Sequence, residues 1–309
     1  MAATDYTAGV EPRLRAQRRR IGEDVVKGVL FLCALISVAT TVGIVVALFV
    51  PAFEFFQDVS VVDFVTGTEW APLFEPAHFG VQPLVAGTLL VTAIASLVAM
   101  PLGLGSAIYL SEYASPRTRG IVKPALEILA GIPTIVFGYF ALTFMTPLLR
   151  DIGVDVDIFN TLSAGLVMGV MLMPTVASLS DDAMGAVPRD LRDGAYALGS
   201  TKVQVATRIV VPAAVSGIVA SFVLAISRAV GETMIVLVAM GQQPNLTFDP
   251  REAAEAMTAF IAATGAGDVP TGSLEYKTIF AVGAALFVMT LVMNVVAIRL
   301  VRKYREVYE

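Results

Sequence analysis

Six long stretches with almost no charged side chains divide the chain, and charged residues cluster in the segments between them. The stretches cover residues 28–53, 80–110, 128–149, 158–180, 209–240 and 278–298. Each is long enough to cross a bilayer core of ~30 Å, which takes about 20 apolar residues in a helix. Because unpaired backbone groups are costly in lipid, the pattern predicts an all-α integral membrane protein with six transmembrane helices.

A row of arginines precedes the first stretch, as it would in a secretory signal. The stretch is too long for the apolar core of a signal, and no small-residue cleavage site follows it, so we expect a retained first helix. The predicted organisation is a basic tail over residues 1–24, a transmembrane domain over 25–305 and a short tail over 306–309.

Basic residues are distributed unevenly among the segments between the helices. Of the 21 Lys and Arg residues, 17 lie in the N-terminal tail, in the loops after the second and fourth helices, or in the C-terminal tail. Because basic loops stay in the cytoplasm, both termini are predicted to be cytoplasmic. The opposite loops are acidic, which either follows from this topology alone or indicates that an anionic substrate is delivered there by a protein.

The composition excludes several classes of function. Only 15% of the residues are charged, against roughly 25% in a soluble domain. Cys33 is the single cysteine and His78 the single histidine, so we expect no disulfide, no metal site and no Ser–His–Asp triad. No basic face interleaved with aromatic residues indicates nucleic-acid binding.

The predicted cytoplasmic loop between the fourth and fifth helices carries a short amphipathic helix over residues 188–199. Pro188 and Gly199 bracket it, as is typical of a helix start and a helix end. Its apolar residues recur at i, i+4 and i+7 and therefore share one face: Leu191, Ala195 and Leu198. Such a helix could dock into a groove on another protein or lie on the lipid headgroups.

Two more helix starts are visible in the loops. Thr201 and Gln204 have the spacing of a capping box for a helix that leads into the fifth span. In the last outer loop, Asp249 and Glu252 predict the start of a short helix that ends near Gly265 and serves either as a lid or as structural filler.

Two charged residues interrupt the fifth stretch. Arg228 and Glu232 are four residues apart, so one continuous helix would place them on the same face, where they could pair. Ionised residues inside a membrane cost at least ~2.5 kcal/mol near its centre and usually face a pathway or the bundle interior. Arginine suits an oxyanion because it binds in bidentate fashion. The pair therefore either contacts a substrate or only locks helix packing.

The cytoplasmic loop resembles the "EAA" motif of binding-protein-dependent ABC importers. The matching residues keep the spacing of that motif over twenty positions: Asp193, Gly194, Ala195, Gly199, Ile209 and Pro212. Asp193 replaces the family's glutamate and Gly194 its first alanine. The resemblance implies a type I ABC importer permease fold in which the 188–199 segment is the coupling helix that docks on an ATPase subunit, with Asp193, Gly194, Ala195 and Gly199 transmitting its movement.

A narrower resemblance concerns the fifth helix. The segment Arg228-Ala-Val-Gly-Glu-Thr-Met234 is similar to the signature of phosphate-specific transport permeases of the PstC and PstA types, and its methionine favours the PstC type. Residues 101–113, 129–138 and 187–192 are similar to the same subfamily. The resemblance implies that Arg228, Glu232 and Thr233 belong to the substrate pathway.

The same resemblance implies the setting of the protein. It predicts a non-catalytic permease subunit in a prokaryotic plasma (inner) membrane, in contact with membrane lipid. The expected partners are a second permease of the PstA type, two ATPase subunits of the PstB type and an extracytoplasmic phosphate-binding protein of the PstS type. No cofactor is expected on this chain, because ATP would be bound by the ATPase subunits.

Other functions compete with phosphate import. Sulfate, molybdate or phosphonate could replace phosphate without any change of mechanism. A secondary transporter or channel could use Arg228 and Glu232 as a proton relay, but it would leave the coupling-helix spacing unexplained. A membrane-embedded enzyme lacks a credible nucleophile or metal cluster and is the weakest alternative.

Overall fold

Helices form most of the described chain. The structure is a computed structural model that describes residues 21–303, so most of the predicted tail over residues 1–24 and all of the tail over 306–309 lie outside the described residues. The chain divides into two units, residues 1–47 and residues 48–309.

The helices and strands follow one another with short connections. In chain order they are α1 (Ile21–Asp58), α2 (Val61–Thr66), β1 (Trp70–Ala71), β2 (His78–Phe79), α3 (Gln82–Ile108), α4 (Pro116–Ala130), α5 (Thr134–Phe140), α6 (Thr146–Asp151), α7 (Thr161–Gly185), α8 (Arg189–Ala197), α9 (Lys202–Val205), α10 (Val211–Ala213), α11 (Val215–Val230), α12 (Met257–Ala266) and α13 (Leu274–Lys303). Four π-helical segments join or extend them: Tyr109–Tyr113, Ala141–Met145, Ala206–Val210 and Val236–Met240. The strands β1 and β2 pair antiparallel.

Four helices of the described chain are long and apolar enough to cross a membrane, namely α1, α3, α7 and α13. The number rises to six if each of two bent helix pairs counts as one span. One pair is α4 with α5–α6, bent by 87°, and the other is α9–α10 with α11, bent by 71°. The six predicted spans therefore correspond to four straight helices and two bent ones.

The N-terminal unit consists, in its described part, of the first portion of α1. Its side chains are exposed on all sides, including large apolar ones such as Leu30 and Phe31. An apolar helix without a buried face is typical of a span that lipid or another subunit surrounds.

The prediction of one helix over residues 128–149 needs correction. The helix α4 ends at Ala130, and Gly131–Pro133 separates it from α5. Pro133 disfavours the helical conformation at the residue before it, which explains the break. The third candidate span is therefore the bent pair of α4 with α5–α6, and not one helix.

The prediction of one helix over residues 209–240 also needs correction. A first interruption lies at Ala214, two residues after Pro212, which lacks the backbone N–H that a continuous helix would use. A second interruption follows Val230, where α11 ends. The fifth span is therefore built from separate helical segments.

The helices α3 and α7 pack closely through glycines. A Cβ on Gly103 would lie 2.6 Å from Val176, a Cβ on Gly165 would lie 2.7 Å from Ile94, and a Cβ on Gly169 would lie 2.6 Å from Val98. Small residues at such contacts let two backbones approach, which supplies packing energy where lipid gives no hydrophobic driving force.

Two buried clusters lie at opposite ends of α3. Leu84, near its start, packs in a cluster that also contains Trp70 and Phe260. Ala107, near its end, packs in a second cluster together with Ala195 of α8. The short strands and α12 are therefore at one end of the helix bundle and the amphipathic helix α8 at the other.

Candidate functional site

The break in the fifth span places Arg228 in the last turn of α11. Its side chain is exposed, and the single hydrogen bond that it makes within the described chain runs from Nη1 to Thr175 Oγ1 of α7 at 3.4 Å. A guanidinium carries five N–H donors. Most of them therefore remain available for a ligand.

Glu232 lies just after the break and has a different environment. It is only 8% exposed, and its Oε1 accepts hydrogen bonds from the backbone N–H groups of Met234 (3.1 Å) and Ile235 (3.3 Å). Its carbonyl oxygen accepts a hydrogen bond from Thr258 Oγ1 at 2.6 Å. Glu232 thus caps the helical segment that follows and joins it to α12.

The expected pairing of Arg228 with Glu232 on one helix face is therefore wrong. The helix ends at Val230, so the i, i+4 relation no longer sets their directions. Within the described residues, no ion pair joins them, and the Glu232 carboxylate is engaged by the backbone instead. Thr233, the third predicted pathway residue, is half-buried, and its hydroxyl donates to the Gly231 carbonyl at 3.4 Å within the break.

Arg228 belongs to a face of the fifth span that other parts of this unit leave uncovered. Leu224 and Arg228 are exposed one turn apart in α11, and Gly231 and Met234 are exposed beyond its end. A guanidinium cannot face hydrocarbon at low cost. This face therefore requires either water or a polar partner, and it can present Arg228 to an anion.

The short helix α8 exposes the residues that a partner could contact. Ala195 is 5% exposed and belongs to the buried cluster at this end of the molecule. Asp193, Gly194 and Gly199 are exposed, and Leu198 is 89% exposed. The predicted apolar face is thus divided, because Ala195 anchors the helix while Leu198 projects outward.

The turn after α8 depends on glycine. Gly199 has φ of +81°, a conformation that side chains with a Cβ disfavour. Its N–H donates to the Tyr196 carbonyl at 2.9 Å, and the Ser200 N–H donates to the Ala195 carbonyl at 3.1 Å. The capping box of Thr201 and Gln204 follows at once, as predicted.

Arg192 ties α8 to two membrane helices, a role that the sequence did not show. Its guanidinium donates to the carbonyl oxygens of Val187 (2.7 Å) and Met184 (2.8 Å) and to Glu112 Oε1 at 3.1 Å. Glu112 is nearly buried and lies in the π-helical extension of α3. The two ionic residues are 80 positions apart, so only the fold brings them together.

A second ion cluster that the sequence did not predict joins α4 to α7 at the same end. The Asp181 side chain is fully buried, and its Oδ2 contacts Arg119 (2.7 Å) and Lys123 (3.3 Å). Lys123 also contacts Asp182 at 2.7 Å. This cluster holds the bent third span against the fourth. Within residues 21–303, no cluster of His, Cys, Asp and Glu could hold a metal ion.

These features define a class of protein: a multi-pass helical membrane subunit with a broken, arginine-bearing span and an exposed amphipathic helix at one end. Residues 99–306 match the family described as binding-protein-dependent transport system inner membrane component. The chain belongs to that family, and it is an ABC importer permease subunit rather than a catalytic subunit.

Relatives with similar sequences cover most of the chain. The probable ABC transporter permease protein YqgH of Bacillus subtilis is 33% identical over 302 residues, which are 96% of this chain and 97% of that protein. The phosphate transport system permease protein PstC of Mesorhizobium japonicum is 31% identical, with 82% of each chain covered. PstC 1 of Mycobacterium tuberculosis is 34% identical, with 78% of this chain and 81% of that protein covered. The resemblance to PstC-type permeases is thereby confirmed.

Solved structures show the same fold at low sequence identity. One is a bacterial alginate ABC transporter in complex with an alginate pentasaccharide-bound periplasmic protein. A chain of that structure matches with a TM-score of 0.64 at 18% identity, and the match covers 92% of this chain and 98% of that chain. A chain of the MetNI methionine ABC transporter matches with a TM-score of 0.56 at 18% identity. The match covers 74% of this chain and 95% of that chain. The predicted type I ABC importer permease fold is confirmed.

Proposed function

We propose that this chain is the translocation subunit of an ATP-driven importer of inorganic phosphate. Three PstC-type sequences at 31–34% identity support the choice of phosphate. The observation that carries the proposal is Arg228, an exposed guanidinium with a single hydrogen bond of 3.4 Å in the last turn of the apolar helix α11. A guanidinium can donate two parallel N–H hydrogen bonds to two oxygens of a tetrahedral phosphate.

The other subunits in the proposed complex supply what this chain lacks. A second permease of the PstA type would complete the pathway, and two PstB-type ATPase subunits would bind ATP and receive α8. A PstS-type phosphate-binding protein would deliver the anion on the acidic side. Both termini would then be cytoplasmic, in a prokaryotic inner membrane.

In the proposed cycle, the ATPase subunits close on ATP and move α8. Arg192 passes that movement to the ends of α3 and α7 through the hydrogen bonds that it makes there. The spans open outward, and phosphate passes Arg228 as a transient ligand. Hydrolysis of ATP returns the spans to the inward state. Glu232 and Thr233 shape the break that orients Arg228, rather than binding the anion directly.

Uptake of radiolabelled phosphate tests this proposal. Cells that lack the chain receive wild type, Arg228→Lys or Arg228→Ala, and uptake is competed with sulfate and molybdate. We expect Arg228→Ala to reduce uptake by roughly tenfold or more, because one charge-assisted contact is lost. Arg228→Lys keeps the charge and should retain part of the activity.

Assembly is the control, measured as co-purification of the ATPase subunits with each variant. Uptake that is unchanged in an assembled Arg228→Ala complex would contradict the pathway role. Wild type that assembles but transports sulfate or molybdate instead would keep the permease class and replace the substrate.

A further inference from the structure

A pocket of about 390 Å³ lies outside the membrane-spanning helices, at the end of the molecule that carries β1 and α12. Its walls come from the loop after β1, from the residues that follow the fifth span and from α12. The lining residues that decide its chemistry are Trp70, Phe74, Gln242, Glu255, Phe260 and Asp268. None of the proposed pathway residues Arg228, Glu232 and Thr233 lines this pocket.

Glu255 is a buried carboxylate without a counter-ion. It is 5% exposed, and within the described chain its side chain makes no hydrogen bond and no ion pair. Burial raises the pKa of the Glu255 carboxyl to about 7. An isolated charge is costly at such a place unless a partner compensates it.

The backbone around Glu255 is fixed by neighbouring helices. Its carbonyl oxygen lies against Gly87 of α3, where a Cβ would approach it to 2.4 Å. The Ala254 N–H donates to the Met240 carbonyl at 3.3 Å, and the Met257 N–H donates to Thr88 Oγ1 at 3.0 Å. The backbone that carries Glu255 is therefore held in place before any ligand arrives, which lowers the entropic cost of binding.

The pocket has the chemistry of a site for an organic cation. Asp268, which is exposed, is its second acidic residue, and none of the described residues that line it is a Lys, Arg or His. Aromatic rings form the walls: Trp70 and Phe260 meet edge to face at 5.0 Å, and Phe74 is 73% exposed at the rim. Aromatic faces next to a carboxylate favour a Lys or Arg side chain, whose stem is apolar and whose end is charged.

We propose that this pocket receives a Lys or Arg side chain of the extracytoplasmic binding protein when that protein docks on the permease. This proposal rests on the proposed function, which places the pocket on the extracytoplasmic side of the membrane and supplies the binding protein as a partner. Charge complementarity selects the occupant, since the pocket offers two carboxylates and no compensating cation. The inserted cation would pair with Glu255 and cover the aromatic wall.

The affinity of docking should then depend on pH. Above a pH of about 7, Glu255 is already ionised in the undocked permease, and a cation binds without any proton release. Below that value, docking must first release the proton, so the affinity falls as the pH is lowered, by at most about tenfold per pH unit. Asp268 is the other titratable residue that lines the pocket.

The test measures binding of the purified phosphate-binding protein to the assembled transporter in lipid nanodiscs between pH 6 and pH 8.5. Wild type should bind more tightly as the pH rises through 7. Glu255→Gln should bind roughly tenfold or more weakly at pH 8.5, with a flat profile, because a buried interfacial charge pair is lost. Glu252→Gln is the matched control: it removes the same charge three residues away on an exposed position, and its profile should equal that of wild type.

Several outcomes would overturn the proposal. One is a binding affinity of wild type that does not change with pH, and another is unchanged docking of Glu255→Gln at pH 8.5. A third is an equal loss of affinity in Glu252→Gln, which would indicate only that the general acidity of the outer loops attracts the binding protein. Loss of permease assembly in Glu255→Gln would assign the pocket to contact with the second permease. Failure of phosphate uptake alongside an intact pH profile would remove the substrate assignment and leave the docking site.

Discussion

At the residue scale, the substrate-pathway pair that the sequence suggested separates into two roles. Arg228 is exposed and makes a single side-chain hydrogen bond in the described chain. Glu232 is buried, and its carboxylate accepts hydrogen bonds from two backbone N–H groups. Substitution of Arg228 should therefore affect substrate transport first, and substitution of Glu232 should affect stability first.

Replacement of Glu232 tests its capping role. Glu232→Ala leaves the N–H groups of Met234 and of the buried Ile235 without an acceptor, so we expect the free energy of unfolding to fall by about 1 kcal/mol. Glu232→Gln keeps an acceptor oxygen, so its free energy of unfolding should fall by less. Thermal denaturation of the purified complex in detergent measures both. Equal stability of Glu232→Ala and wild type would show that the two hydrogen bonds contribute nothing.

At the element scale, the contact of α3 with α7 depends on backbone proximity. Gly169→Val would place a Cβ 2.6 Å from Val98 and 2.9 Å from the Ala95 carbonyl. We expect a destabilisation of roughly 1–3 kcal/mol, as for other overpacked contacts, seen as a lower melting temperature. Gly105→Val, in α3 itself, is the matched control, since nothing lies within 4 Å of its Cβ. If both variants melted alike, the loss would come from helix propensity and not from packing.

The tether of α8 is a second element whose role can be measured. Arg192→Ala leaves Glu112 almost buried without its cation, and α8 loses its contacts with Val187 and Met184. We expect ATP hydrolysis by the assembled complex to continue while the phosphate transported per ATP falls severalfold, because the hydrogen bonds that join α8 to the ends of α3 and α7 are lost. The ratio is measured in proteoliposomes.

Arg189→Ala serves as the control for this tether, since Arg189 is exposed in the same helix and its side chain makes no hydrogen bond or ion pair with the described residues. Its transport ratio should equal that of wild type. A normal ratio in Arg192→Ala would rule out this route of coupling and leave α8 coupled to the spans by packing of Ala195 alone.

Periodic patterns predicted the helices of this fold well, and local chemistry predicted their interruptions poorly. Charge-free runs identified α1, α3, α7 and α13, because apolar length is itself the physical requirement for a span. The breaks after Ala130 and Val230 were missed, since Gly131–Pro133 and Gly231–Thr233 lie within apolar runs that conceal them. The short outer helix was predicted from Asp249 and begins instead at Met257; the Asp249 carboxylate binds Arg251.

Residue roles were predictable only where they follow from local sequence. The positive φ of Gly199 and the capping box of Thr201 and Gln204 depend on neighbours within a few positions, and the structure has both. Partners of Arg192 and Asp181 are about 60 to 80 positions away. Such pairs depend on the packing of whole helices, which one sequence does not reveal. The roles of Asp193 and Gly194 in coupling stay predictions.

At the scale of the whole molecule, the proposed topology requires that the pocket around Glu255 and the helix α8 face opposite sides of the membrane. Two exposed apolar residues report on those ends: Phe74 at the pocket rim and Leu198 after α8 are 73% and 89% exposed. Cys33 is the single cysteine of the chain, so its replacement by serine gives a background in which Phe74→Cys or Leu198→Cys carries the sole thiol.

A membrane-impermeant maleimide applied to intact spheroplasts should label Phe74→Cys and leave Leu198→Cys unlabelled until the membrane is opened. In opened membranes, the ATPase subunits should also protect Leu198→Cys, since α8 lies in their groove in the proposed complex, and removal of those subunits should restore labelling. The Cys33→Ser background alone controls for reaction with other proteins. Labelling of Leu198→Cys from outside would reverse the topology, and it would place the acidic pocket on the cytoplasmic side, where no extracytoplasmic protein could reach it.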